Sequence, residues 1–312
     1  MRLFEKGVPM GKTNTKKMVQ GAMIAAIFGA LSLLNTYTGS MFDIFICYVM
    51  VIPLVWYGYT YTLKDNAIVC VVAMIVIAMM GLPFFIISSI SSCLAGLFIG
   101  EALKRQAKKE TILLGTLVVT FLNNILIYEV FSGLLGIHFM AEMEEMYMTM
   151  IQPITALSQK ISLDFFLSMA PLVILLTSVM EMYVILLLCQ ITLTRLNIQF
   201  PGSFHIATMH LSRKTGLILA VLLFGSYVVQ NFIGYQSVYL SYAYTIAVVT
   251  FALQGLSFLS WLLIMKEKPR WMILVFIGIL IPMVNSLYVV VGIIDIFSDL
   301  RANLLYNGHS ND

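Results

Sequence analysis

Long apolar runs, broken by short polar or basic clusters, dominate the chain from residue 17 onward. Nine of them are long enough to cross about 30 Å of hydrocarbon at about 1.5 Å of rise per residue. They are 17–35, 41–60, 65–81, 83–103, 111–133, 165–194, 214–234, 238–264 and 271–295. The run 165–194 is long enough to be broken or strongly tilted. The runs are continuously apolar rather than alternating, which predicts helices and disfavours a strand barrel. The predicted fold is all-α: a polytopic membrane helix bundle of about nine transmembrane helices.

The polar clusters between the runs orient the bundle, because Lys and Arg in short loops are retained in the cytoplasm. Of 18 Lys and Arg, all but Lys160 and Arg301 fall on one side of the nine-helix layout. This places the N-terminus in the cytoplasm and the chain, multi-pass, in the cell membrane. Composition agrees: 60% of residues are hydrophobic, 11% are charged, and the mean hydropathy is +0.95, outside the range of soluble domains. The net charge of +3 therefore reports topology rather than attraction to nucleic acid, and the expected surroundings are the lipid bilayer. The basic start "MRLFEKGVPMGKTNTKK" lacks a short apolar core with a small-residue cleavage site, so the first helix is expected to be its own insertion signal.

The connections are short except for two. Residues 134–164 form a long outer loop, and 196–213 form an inner connection holding Pro201 and Gly202, amphipathic enough to lie on the membrane surface or to join two bundles. The natural division is a six-helix membrane domain, 1–197, followed by a three-helix extension, 198–312. No internal repeat is visible.

Motifs for catalysis are missing. "GVPMGKT", Gly7 to Thr13, imitates a phosphate-binding loop but has three residues between its glycines where four are needed, and no strand precedes it. His138, His205, His210 and His309 lie in loops or tails, and the pair in "HIATMH" is five apart, poor spacing for a shared metal on a helix. Neither a nucleophile with its base nor paired intramembrane aspartates can be assembled. Cys47, Cys70, Cys93 and Cys189 fall within apolar runs and read as small buried side chains. The chain is therefore not expected to be an enzyme, and no cofactor is implied.

Polar groups inside apolar helices are expensive and usually face the bundle interior. Asp43 lies near the outer end of the second run; Asn123, Asn124, Tyr128 and Glu129 share a depth on the fifth; Glu181 and Gln190 fall on the sixth. Gln230, Asn231, Gln254 and Asn285 follow on the last three. Asn123, Asn124, Glu129 and Glu181 are the candidate ligand-binding residues, presenting amides and carboxylates to a small polar molecule from outside. For the asparagines, interhelical hydrogen bonding explains the same pattern equally well. For Glu129 and Glu181 the greater cost of burying a carboxylate favours function. The methionines of "HFMAEMEEMYMTM", Met140, Met143 and Met146, have a spacing that could hold Cu(I) beside His138. An amphipathic segment dipping into the interface while Glu142, Glu144 and Glu145 stay wet is the favoured reading. Tyr235, Tyr239, Tyr242 and Tyr244 read as an interfacial aromatic belt.

The first helix carries small residues at two interleaved spacings of four: Ala22, Ala26 and Ala30, and one step behind them Gly21, Ala25 and Gly29. This stretch, "TKKMVQGAMIAAIFGALSLL", resembles the opening helix of the substrate-binding S components of energy-coupling factor (ECF) transporters. The likeness covers about 1–197. It implies that Ala22, Ala26 and Ala30 dock on a transmembrane T component, which rides on two ATPase subunits, and that a micronutrient binds near the outer surface. Over its whole length the chain is similar to the YybS-type bacterial membrane proteins, with the matching ending "GIIDIFSDLR", Gly292 to Arg301. Their layout is an S-component-like part with extra C-terminal helices.

The expected function is that of a substrate-binding subunit for uptake of a small polar micronutrient, docked through its first helix on an ATP-driven partner. The alternative is a scaffold or regulatory membrane protein that keeps the bundle and binds no ligand. A third reading, a secondary carrier, uses Glu181 as a proton site.

Overall fold

The structure, a computed structural model, describes residues 10–131, 133, 138–154, 161–233, 237–278, 282–298 and 301, with the side chains of 10–13, 44, 129, 233, 269, 273, 277, 282 and 283 left out. Glu129's side chain, Lys160, Tyr235 and His309 thus lie outside the described residues, as does most of "GVPMGKT". The described chain is helical, and seven of its helices are long and apolar enough to cross a membrane. Two shorter apolar helices, Phe45–Thr60 and Val284–Phe297, accompany them. The chain forms two compact units, one of 1–160 with 173–202 and one of 161–172 with 203–312.

Unit 1 holds α1 (Met10–Tyr37), α2 (Asp43–Thr60), α3 (Leu63–Met80), α4 (Pro83–Lys104) and α5 (Lys109–Ile125). Turn chemistry sets their limits. Thr62 and Asp65 form a capping box at the start of α3, and Pro83 opens α4 at a position where its missing N–H costs nothing. Lys17 meets Asp65 at 2.8 Å, tying the start of α1 to that of α3. The α2–α4 seam is close enough that a Cβ added to Gly100 would sit 3.0 Å from the Val55 carbonyl oxygen and 3.1 Å from the Gly58 Cα. Small residues there replace side-chain interlock with backbone proximity.

α5 ends in a π-helical turn, Leu126–Val130. The long connection after it is not structureless: α6 (Phe139–Met146) runs into a second π turn, Tyr147–Ile151. Met143 and Tyr147 are buried, while Met140, Met146, Glu142, Glu144 and Glu145 are exposed, so of the three methionines in the predicted amphipathic stripe Met143 alone packs inward. The sixth run is broken near Ser168, with α7 (Leu163–Leu167) preceding α8 (Ala170–Thr194).

Unit 2 contains α9 (Arg213–Val228), α10 (Val238–Met265), α11 (Met272–Gly278) and α12 (Pro282–Phe297). The ninth apolar run, 271–295, is not one helix. The Tyr288 hydroxyl donates to the Val275 carbonyl at 2.6 Å. Residues that far apart in a continuous helix would be separated by about 20 Å. The chain therefore doubles back, and α11 and α12 form a hairpin. Gly216, near the start of α9, packs on Ile296, near the end of α12. Arg301 reaches the Ala207 carbonyl and lies over the Trp261 ring. This corrects its expected place: Arg301 sits at the end of unit 2 that carries the connection between α8 and α9, not at the opposite end.

Candidate functional site

The polar groups that the bundle interior of unit 1 brings together lie on α4, α5 and α8. The Asn124 amide donates to the Ser178 hydroxyl at 2.9 Å and to Glu181 Oε2 at 3.0 Å. Ser91, on α4, donates to Glu181 Oε1 at 3.5 Å. Below them, Thr120 donates to the Ser178 carbonyl at 3.1 Å, a second stitch between α5 and α8. Asn124, Ser91, Ser178 and Thr120 are buried, and Glu181 keeps part of its surface accessible. Among the described residues no Lys, Arg or His pairs with the Glu181 carboxylate, so amide and hydroxyl donors alone hold it.

Aromatic rings border this centre. Tyr48, on α2, and Tyr128, in the π turn after α5, are both within electrostatic reach of Glu181. Phe139, at the start of α6, lies against Tyr128 with ring centroids 4.8 Å apart. The π turn begins two residues after Asn124, and such turns recur at functional sites.

Of the four predicted ligand residues, the structure joins Asn124 and Glu181 and separates Asn123 from them. Asn123 lines a different feature, an apolar groove of about 690 Å³ between α4 and α5, with Phe98, Val119 and Leu122. Successive helix positions are turned by about 100°, so two adjacent asparagines cannot both point at one carboxylate. Ser91 and Ser178 were not singled out by sequence. A serine in an apolar helix leaves little trace because its hydroxyl can bond its own preceding turn, as Ser178 does to the Ile174 carbonyl at 2.7 Å.

The two small-residue stripes of α1 part company. Gly21, Ala25 and Gly29 are buried; a Cβ added to Gly21 or Gly29 would lie 2.7 Å from Val69 or Val76 of α3. Ala22, Ala26 and Ala30 are exposed beside Met23 and Ile27.

Two further buried carboxylates have other surroundings. Asp43, at the start of α2, accepts a hydrogen bond from the Asn35 amide. Asp295, on α12, is fully neutralised. Arg301 meets it through two nitrogens, at 2.9 and 2.8 Å, and Gln254 donates at 2.6 Å. Arg301 also reaches Ser257 at 3.2 Å. Cys47, Cys70, Cys93 and Cys189 are free and buried. Among the described residues no group of His, Cys, Asp and Glu is arranged to hold a metal.

Residues 26–296 match a protein family described as a predicted membrane protein. No curated protein and no solved structure matches the chain significantly.

Proposed function

We propose that this chain, which belongs to the DUF2232 family of predicted membrane proteins, is a substrate-binding subunit for uptake of a small polar nutrient across the cell membrane. The observation that carries the reading is the Glu181 carboxylate, held at 3.0 Å by the Asn124 amide and by no cation among the described residues. A charge placed inside apolar helices without a counter-charge is costly, and a ligand that completes its hydrogen bonds offsets that cost. Glu129 shares the depth of Asn124 and belongs to the same proposed binding region; Asn123, facing the α4–α5 groove, does not.

The exposed stripe of Ala22, Ala26 and Ala30 supports docking on a membrane partner, as in the S components of ECF transporters that the sequence resembles. A flat face lets a second helix approach closely. The partner would be a T component with its ATPase subunits, and the YybS-like ending belongs to the added unit. The N-terminus is cytoplasmic, given where the basic residues fall. α1–α5 and α8–α10 cross the membrane, and the α11–α12 hairpin returns to the side it started from.

Affinity purification from the native membrane tests the docking. Wild-type protein brings down a T component and ATPases, and Ala26→Leu loses them while its thermal unfolding is unchanged. Equal recovery with both proteins refutes the role of the stripe. A second reading, a scaffold or regulatory protein without a ligand, has its own supporting observation. Asn124 bridges Ser178 and Glu181, and Thr120 bonds the Ser178 carbonyl, so these groups also stitch α5 to α8.

A further inference from the structure

We infer that the molecule recognised at Glu181 is an organic cation, an amine or ammonium compound; this rests on the ligand-binding reading of that site given above. Three features of unit 1 point the same way.

The first is charge. The groups around the carboxylate, the Asn124 amide and the Ser91 hydroxyl, are neutral donors. An anion brought against the Glu181 carboxylate would meet repulsion that low-dielectric surroundings strengthen, with no described cation to offset it. An ammonium group supplies the missing counter-charge.

The second is the rings. Tyr48 and Tyr128 stand within electrostatic reach of Glu181, and Phe139 packs on Tyr128 at 4.8 Å between centroids. All three rings and Glu181 are half-buried, so each keeps accessible surface. Aromatic rings close to a carboxylate suit a partly desolvated ammonium, because the ring quadrupole and the anion act in the same sense.

The third is the approach. Glu142, exposed on α6, acts electrostatically on Tyr128, and Glu144 and Glu145 lie exposed on the same helix. The described Lys and Arg of unit 1 cluster at other helix ends: the starts of α1, α3 and α5 and the ends of α4 and α8. Among the described residues, His138, before α6, is the one weakly basic group beside these carboxylates. A surface dominated by one sign of charge concentrates ions of the other.

The test uses full-length protein extracted in mild detergent. Small molecules released on denaturation are identified by mass spectrometry, and 2-phenylethylamine is titrated as a probe beside its acid and alcohol counterparts, phenylacetate and 2-phenylethanol. The released molecule is expected to carry an amine or ammonium group and to be displaced by 2-phenylethylamine but not by phenylacetate. Glu181→Gln should weaken binding of the amine probe by roughly tenfold or more, and Glu142→Gln, an exposed change that spares the fold, by roughly twofold with a flatter salt dependence. A released neutral or anionic molecule, or equal binding of amine and alcohol, overturns the cation class and leaves the site standing. If wild-type protein releases nothing and binds none of the three probes, the binding reading of Glu181 fails, and this inference with it.

Discussion

Two carboxylates, half-buried Glu181 and buried Asp295, divide the chemistry of this chain. Asp295 has a bidentate arginine and a glutamine on its two oxygens, and the same arginine reaches Ala207 and Ser257 and stacks near Phe258 and Trp261. Such a network fixes geometry, and breaking one partner strands the other charge. Arg301→Ala is therefore expected to cost about 3–5 kcal/mol, seen as a marked fall in the unfolding midpoint in detergent. Glu181→Gln should behave in the opposite way. It keeps shape, an acceptor oxygen for Asn124 and an NH2 that can donate to the Ser91 hydroxyl, while removing an uncompensated charge, so the midpoint stays level or rises as ligand binding is lost. An Asn124, Ser91 and Glu181 cluster that were only a structural stitch would lose stability with that substitution. At this scale the sequence exposes Glu181 and Asn124, because a polar group in an apolar run has no cheap alternative. It does not distinguish Asn123 from Asn124, since facing is set by where α4 and α8 pack, and it hides Ser91 and Ser178. Nor does it pair Asp295 with Arg301, which lies six residues on and past the end of α12.

Among the helices, the tightest crossing is that of α10 and α12. A Cβ added to Gly255 would lie 2.0 Å from the Tyr288 carbonyl oxygen, and one added to Gly292 would lie 2.0 Å from the Phe251 carbonyl oxygen. Backbone meets backbone there, with no flexible side chain to yield. Gly255→Ala should destabilise by about 1–3 kcal/mol, as overpacking does. Gly225→Ala, at a helical position with nothing within 4 Å, should stabilise by up to about 1 kcal/mol through helix propensity alone. Thermal unfolding of the two variants in one detergent checks the opposite signs. The helices themselves are legible, because length and continuous apolarity are what a bilayer-spanning helix requires. The hairpin of α11 and α12 is not. Hydropathy records how much apolar chain there is, not its direction, and the reversal depends on contacts such as Tyr288 with Val275 and Gly278. The π turn after Asn124 is invisible for a similar reason, since its composition is that of the helix it ends.

For the molecule as a whole, the hairpin bears on the proposed topology. If α11 and α12 return to their starting side, Arg301 falls with the basic loops of the sequence pattern, and Lys160 alone of the Lys and Arg departs from it by sequence. Single cysteines at Lys268, Ser298 and Glu144 test this in intact cells and inverted vesicles, with little background because the four native cysteines are buried. Positions 268 and 298 should label from the cytoplasmic side and 144 from the other; labelling of 298 together with 144 would restore a ninth crossing. The exposed alanine stripe of α1 was legible as a periodicity. Which of its two interleaved rows faces α3 was settled by packing alone, with Gly21 and Gly29 taking the inner row because Val69 and Val76 leave no room for a side chain. The central claim remains that unit 1 carries a ligand at Glu181. Native mass spectrometry of the full-length protein, wild type beside Glu181→Gln, addresses it most directly. The account predicts one small molecule bound per wild-type chain and none in the variant, both equally folded; a wild-type spectrum without bound ligand, or one retained unchanged by the variant, would contradict it.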